Sequence, residues 1–430
     1  MYEIRNYITS HESEMKELLS ELVAVPSVQG DAVEGCPFGA EPARVLGMML
    51  DKCQEYGFNV ENVDNYAGSA DYGGSEPALA ILTHLDVVPA GEGWSSDPFT
   101  LTQVGEKLVG RGAIDDKGPA VAAVFALRAI KELGIPLKRG VRLIFGTNEE
   151  NGSADLAYYR SKRKLPSMVF TPDGEYPVIN VEKGMLRVYF SAPFDVGEIH
   201  GGAVINAVPG TCRFSINEAL SDGVKAYFGT VDGASAHAST PEKGENAITK
   251  FLNENNCGVP LLKKLAELFP HGELDGSSCG LGFSDEVSGS MTCVLSMLNT
   301  ESGRLCGGID IRFPINCSKT EISDIICGRL RDAGFEVDSC EGVEPHCTDG
   351  DSQFVQALLR VYERVTGENG KCIAIGGGTY VHEIEGGVAF GAEFPNTDYN
   401  MHSPDEYITV TDLLKNAELI AEAVLEICKE

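Results

Sequence analysis

A chain of 430 residues exceeds what one hydrophobic core usually organises, so two domains are expected. With 43% apolar and 23% charged residues it can bury a large core, which excludes a disordered chain. The 64 acidic against 34 basic residues give a formal net charge of −30, a surface that repels nucleic acid and anionic membranes and excludes both as expected partners.

Residues 2–24 place Ile4, Ile8, Met15, Leu18, Leu19 and Leu22 at helical spacing, predicting one amphipathic helix that Pro26 ends. A second helix is expected from Glu41 to Tyr56, with Val45, Leu46, Met49 and Leu50 as its apolar stripe. The short apolar runs Ala78–Thr83, Val141–Phe145 and Met168–Phe170 suit strands covered on both faces. Helical stretches Gly118–Leu133 and Ala154–Ser161 separate them, so the fold class is α/β, with a central, mostly parallel sheet and flanking helices. From about Gly184 the texture changes to closely spaced strands at Met185–Phe190, Cys212–Ile216 and Lys225–Gly229. A helical stretch Ala247–Leu268, strands at Met291–Met297 and Leu305–Phe313, a helix Thr320–Ala333 and a strand through Glu336 follow. This reads as an inserted α+β lid domain over residues 184–347, interrupting a catalytic domain formed by residues 1–183 and 348–430. After Asp349 a helix Phe354–Val365, a strand Cys372–Ile375 and a closing helix Asp412–Cys428 complete the α/β part.

Thirteen cysteines lie scattered from Cys36 to Cys428 with no CxxC pair, which excludes a small disulfide scaffold and suits a reducing compartment. No apolar signal core opens the chain and no stretch is long enough to span a bilayer, so a cytoplasmic location is expected.

The chemistry-bearing residues cluster after the expected strands. His84-Leu-Asp86 follows the first buried run, and residues two apart in an extended segment point the same way. Asp115-Asp116 sit between glycines ahead of a helix, where adjacent carboxylates raise each other's pKa unless a cation neutralises them. Glu149-Glu150 follow the strand Val141–Phe145, Asp173 follows Met168–Phe170, and His402 lies in the loop before the last helix. Each motif by itself favours a plain reading, as a charged loop, a helix-start acid or a surface histidine. Together they form a set of acids and imidazoles that would be costly without a bound cation. Nitrogen and oxygen donors without thiolates point to zinc, with cobalt and manganese as alternatives.

These motifs resemble the M20 metallopeptidase family, in its PepV-like dipeptidase branch. The likeness runs in order through His84–Phe99, Gly110–Gly118, Glu149-Glu150, Thr171–Gly174, Ser235–Glu242, Ile309–Pro314 and Met401–Glu406. The resemblance implies two divalent metal ions, with His84 and Asp173 on one, Glu150 and His402 on the other, and Asp115 bridging them beside a cis peptide. It further implies that Asp86 orients His84, that Glu149 is the general base and acid, and that His237 of the inserted domain donates to the oxyanion. Arg312 matches the arginine that holds a substrate carboxylate, although an ion pair with Asp310 accounts for it as well. Asn206 and the loop carrying Gly377, Gly378 and Thr379 match further substrate contacts. His382 stands where the branch usually has Arg, which a shorter titratable group does not replace. The implied activity is hydrolysis of dipeptides or short peptides by a water held between the two ions. A deacylase for N-acyl amino acids and a non-catalytic binding protein on the same scaffold are the alternatives. The large inserted segment favours a monomer.

Overall fold

The computed structural model describes residues 2–74, 76–220, 223–255 and 258–429. The chain divides into two compact units. The first comprises Met1–Asn180, Thr348–Ile373 and Thr379–Glu430; the second comprises Val181–Cys347 and Ala374–Gly378.

In the first unit the strand order is Asn59–Val63, Ala67–Tyr72, Gly140–Gly146, Pro77–His84, Met168–Thr171, Val388–Ala389, Val178–Glu182. The four central strands, from Gly140–Gly146 to Val388–Ala389, run parallel, and antiparallel neighbours close both sides. Parallel strands need covering on both faces. The Ala-rich helix Lys117–Glu132 supplies part of that cover, burying Val121, Val124, Phe125 and Leu127 in one core with Leu419, Ile420 and Val424 of the helix Val410–Cys428. Three adjacent parallel strands thus deliver their carboxyl ends to one edge, the place where open α/β sheets build sites.

The second unit is a seven-stranded antiparallel sheet in the order Gly223–Asp232, Thr211–Leu220, Gly197–Gly201, Thr292–Glu301, Arg304–Phe313, Gly184–Pro193, Glu336–Val343. Period-two alternation turns Ile309, Ile311 and Phe313 into the core with Val188 and Phe190, where Phe251, Leu265, Ile322 and Ile326 of the helices meet them. Asp310 and Arg312 alternate to the other face.

Three sequence expectations change. Residues 2–24 form two helices, Tyr2–Ser10 and Glu12–Val23, because the Ser10 hydroxyl and the His11 ring both bond Tyr7 O at 2.7 Å and compete with the helical ladder. The stretch 247–268 is also two helices, Ala247–Asn255 and Pro260–Leu268; Val259 is extended, as a residue before proline prefers. The hairpin Asn59–Val63 and Ala67–Tyr72 was not expected. Its turn holds Asp64 and Asn65 at φ 54° and 57°, residue types that tolerate that region. Among the described residues, twelve cysteines are free and no helix is long and apolar enough to cross a membrane.

Candidate active site

The parallel strands explain why remote residues converge. Pro77–His84 ends on His84, Gly140–Gly146 runs into the turn Glu149–Asn151, and Met168–Thr171 leads to Asp173. Asp115 precedes the helix Lys117–Glu132, joined to Asp116 by a cis peptide. His402 arrives from the loop ahead of the strand Tyr407–Thr409, with φ at 56°.

The first unit brings together all five residues expected to be metal ligands. His84 Nε2 lies 3.0 Å from Asp115 Oδ1 and 3.7 Å from Asp173 Oδ2. His402 Nε2 lies 2.7 Å from Asp115 Oδ2 and 3.2 Å from Glu150 Oε2. Each oxygen of Asp115 therefore faces a different imidazole. Ligand-capable atoms come within 4.8 Å of one another in two groups, His84 with Glu149 and Asp173, and His84 with Asp115 and Glu150. These groups cut across the ligand pairing implied by the resemblance, since Glu149 joins the first and His84 belongs to both.

The donor set fits divalent cations. His84 Nδ1 is 3.0 Å from the Asp86 carbonyl oxygen. A carbonyl only accepts, so Nδ1 carries a proton, and Nε2 is the nitrogen that faces the two carboxylates. Burial disfavours the charged ring but is outweighed by Asp115 and Asp86, which raise it well above its ordinary value. Among the described residues, buried His84 Nε2 and Glu150 Oε1 have no hydrogen-bond partner. An imidazole nitrogen and carboxylates converging in a buried pocket are held together either by a proton or by a divalent cation, and this donor set suits the cation.

Electrostatics agrees. Burial raises the Asp173 carboxyl to about 7, with the Asp115 charge adding to the effect. Burial likewise pushes Glu149 well above the carboxylate range and raises Glu150. Burial would raise Asp115 too, but His402 and His84 pull it well below its ordinary value. Burial disfavours the His402 cation, yet Asp115 and Glu150 raise that group to about 11.

Residues outside the expected ligand set hold it in place. Asp86 has a second task beyond the one expected. Its carboxylate stands 3.5 Å from His84 Nδ1, while its two oxygens accept the backbone N–H groups of Glu149 and Glu150, each at 3.1 Å. Asp116 sits at the helix start without capping it, and its Oδ2 accepts from His84 N at 3.0 Å instead. Buried Glu406 pairs with buried Arg111 at 2.5 Å and accepts from Ile114 N at 3.1 Å, anchoring the approach to Asp115. Asp155 carried no sequence signal at all, being one acid in an ordinary helix start. It is fully buried and accepts from Thr147 N and Asn148 N.

In the second unit, Asn206 and His237 come together: Asn206 O accepts from Ala238 N at 2.9 Å beside the Ala207–His237 ladder pair. His237 Nδ1 accepts from Ser239 N at 3.2 Å, which leaves Nε2 as the proton-bearing nitrogen of the neutral ring. Arg312 already makes three hydrogen bonds within the second unit. Its Nε and Nη2 form a fork on Asp310 at 2.5 and 3.0 Å, and Nη1 donates to Gly376 O at 2.8 Å. The Asp310 ion pair, open at the sequence level, is what the strand holds. That bond and Lys183 N to Ile375 O, at 3.0 Å, tie Ala374–Gly378, including Gly377 and Gly378, to the second unit. Thr379 and His382 belong to the first unit, where His382 N bonds Thr379 O at 3.0 Å in a turn.

Two imidazoles and four carboxylates gathered beyond parallel strands define a metallohydrolase of the α/β type. The family model for Peptidase family M20/M25/M40 matches residues 80–426, and the chain belongs to that family. It is a metallopeptidase. Its relatives include Putative dipeptidase YtjP of Bacillus subtilis (strain 168), 32% identical over 95% of this chain and 96% of that one. Beta-Ala-Xaa dipeptidase of Lactobacillus delbrueckii subsp. lactis is 33% identical over 96% of this chain and 95% of that one. Human carnosine dipeptidase 1 shares the fold, with a TM-score of 0.66 at 18% identity over 98% of both chains.

Proposed function

We propose that this chain is a metal-dependent dipeptidase, hydrolysing the amide bond of dipeptides or short peptides. The observation that carries the reading is Asp115, whose two oxygens each face a different imidazole and so suit a ligand shared by two cations. His84 and Asp173 would hold one ion, Glu150 and His402 the other, with zinc the metal and cobalt or manganese as substitutes. When bound, the ions supply a lowered pKa for the attacking water and polarisation of the scissile carbonyl.

The remaining work falls to the chain's own residues. Glu149, raised by burial, takes the proton of the attacking water and returns it to the leaving amine. Asp86 holds the Glu149 backbone and the His84 ring in place. His237, with Nε2 carrying its proton, is suited to donate to the developing oxyanion, and Asn206 beside it to contact the substrate. The two dipeptidase relatives above 30% identity support the substrate class over N-acyl amino acids. The reading extends to a protein acting as a monomer, which a stable dimer by light scattering would overturn.

The test compares a dipeptide panel with N-acyl amino acids in the presence of zinc, cobalt or manganese. Turnover of dipeptides is expected, and preference for acylated substrates would refute the assignment. Glu149→Ala is expected to retain metal and lose turnover by roughly 100-fold or more; retained turnover removes Glu149 as the base.

A further inference from the structure

The segment Thr147–Glu150 leaves its strand, so its backbone N–H groups need other acceptors. Two buried carboxylates take all four in succession. Asp155 Oδ2 accepts from Thr147 N at 2.6 Å and Asn148 N at 2.9 Å, and Asp86 accepts from Glu149 N and Glu150 N. Charge-assisted bonds of this kind are shorter and stronger than neutral ones, so the segment is held at every peptide.

Asp155 is itself fixed from a remote stretch. The Tyr380 hydroxyl donates to the same Oδ2, and Tyr380 is 2% exposed with its ring edge-on to His84 at 6.1 Å. Gly146 completes the arrangement, because a Cβ there would overlap both the Tyr380 hydroxyl and Asp155 Oδ2. Only glycine at the strand's end leaves room for that bond. Its φ lies outside the left-handed region, so close approach and not backbone angle is what demands it.

We propose that Tyr380 and Asp155 are positioning residues for Glu149, acting through the backbone of Thr147–Glu150 and never touching substrate. Tyr380 lies two residues beyond Gly378, in the same chain segment as the expected substrate loop. Its hydroxyl locks the carboxylate that holds the two peptides leading to the base. This rests on the reading of Glu149 as the general base. A base that must meet the water and then the leaving amine tolerates little displacement, and an error near 1 Å costs on the order of 100-fold.

The experiment uses the metal-loaded full chain with a dipeptide substrate. Tyr380→Phe removes one oxygen and keeps the ring beside His84. It is expected to lower kcat roughly 10- to 100-fold with KM and bound metal unchanged. Hydrogen exchange at the Thr147 and Asn148 amides should quicken in the same variant. Gly146→Ala, which displaces the hydroxyl without altering Tyr380, should reproduce the kcat loss. A raised KM at unchanged kcat would make Tyr380 a substrate contact and overturn the proposal. So would unchanged kcat with unchanged exchange, or a lowered Tm with full kcat per folded molecule. If Glu149→Gln abolishes turnover while Tyr380→Phe is silent, the positioning role alone fails; if Glu149→Gln stays active, the base assignment itself falls.

Discussion

Asp115 and Asp116 are neighbours with opposite environments. Asp115 is pulled down by two imidazoles, whereas burial pushes Asp116 well above the carboxylate range and leaves its Oδ1 without a partner among the described residues. An amide is therefore a poor substitute at the first position and a good one at the second. Asp115→Asn is expected to lower bound metal and turnover together. Asp116→Asn can still accept from His84 N, so it should keep its metal and lose no more than about 1 kcal/mol of stability. Metal analysis and urea denaturation of the two variants check this; equal metal loss in both would sink the distinction. At this scale His84, Asp173 and His402 were undistinguished one at a time and legible in the sequence only as a set, and the fold gathers them. Arg312 was open between a substrate contact and an ion pair with Asp310, two residues away on one strand face, and that pair is formed. Asp155 and Tyr380 were illegible, since a buried acceptor of backbone N–H groups looks like any aspartate until the turn it serves is built.

Among the elements, the loop bearing His402 is the most strained part of the site. Asn396, Asn400, His402 and Asp405 all take φ between 55° and 63°; asparagine and aspartate tolerate that region, so the cost falls on His402. Strain of that kind persists only where the surroundings over-determine it. Asp405 accepts from Ser95 N and Oγ at 2.8 and 2.7 Å, and Glu406 is held by Arg111 and the Ile114 amide. Both Arg111 and Glu406 are essentially inaccessible, so removing one strands the other. Arg111→Met is expected to destabilise by about 3–5 kcal/mol at pH 8, and a double change with Glu406→Leu should recover part of that. A loss below about 1 kcal/mol in the single variant, read from urea denaturation, would show that the pair does not brace the loop. Periodicity located most helices and the buried strands, because both signals are local. The breaks at His11 and Val259 were missed although their causes, a side chain competing for Tyr7 O and a residue ahead of proline, are local too. The 59–72 hairpin was missed because its strands alternate weakly and only Asp64-Asn65 marks the turn.

At the scale of the molecule, the alternation of strand and helix was enough to expect a parallel sheet with a second α+β unit. Which carboxylates would share one pocket depends on strand order, and that order is not written in any local pattern. Gly140–Gly146 lies beside Pro77–His84 and not beyond it, which is what puts Glu149 and Glu150 next to His84. The resulting concentration of acid sets how stability responds to metal and pH. In the protein's own groups, Asp173 titrates at about 7, and Glu149 and Glu150 are raised as well, all chiefly by burial. Their unfolded counterparts ionise near 4, so between those values the folded chain without metal binds more protons than the unfolded one. Its stability then falls as pH rises from about 4 through 7. It goes on falling above 7, where Glu149 and the His402 ring, raised to about 11, still hold protons that the unfolded chain has lost. Divalent cations offset that cost, and they compete with protons for the same oxygens. Chelation is accordingly expected to lower Tm strongly at pH 8 and less at pH 6, with zinc, cobalt or manganese restoring the difference. The check is a thermal melt with and without chelator at both pH values, set beside Asp115→Asn, whose melt should respond weakly to either. A wild-type Tm indifferent to chelator at pH 8 would mean that the crowded carboxylates are kept neutral by protons, and the two-cation reading would lose its physical basis.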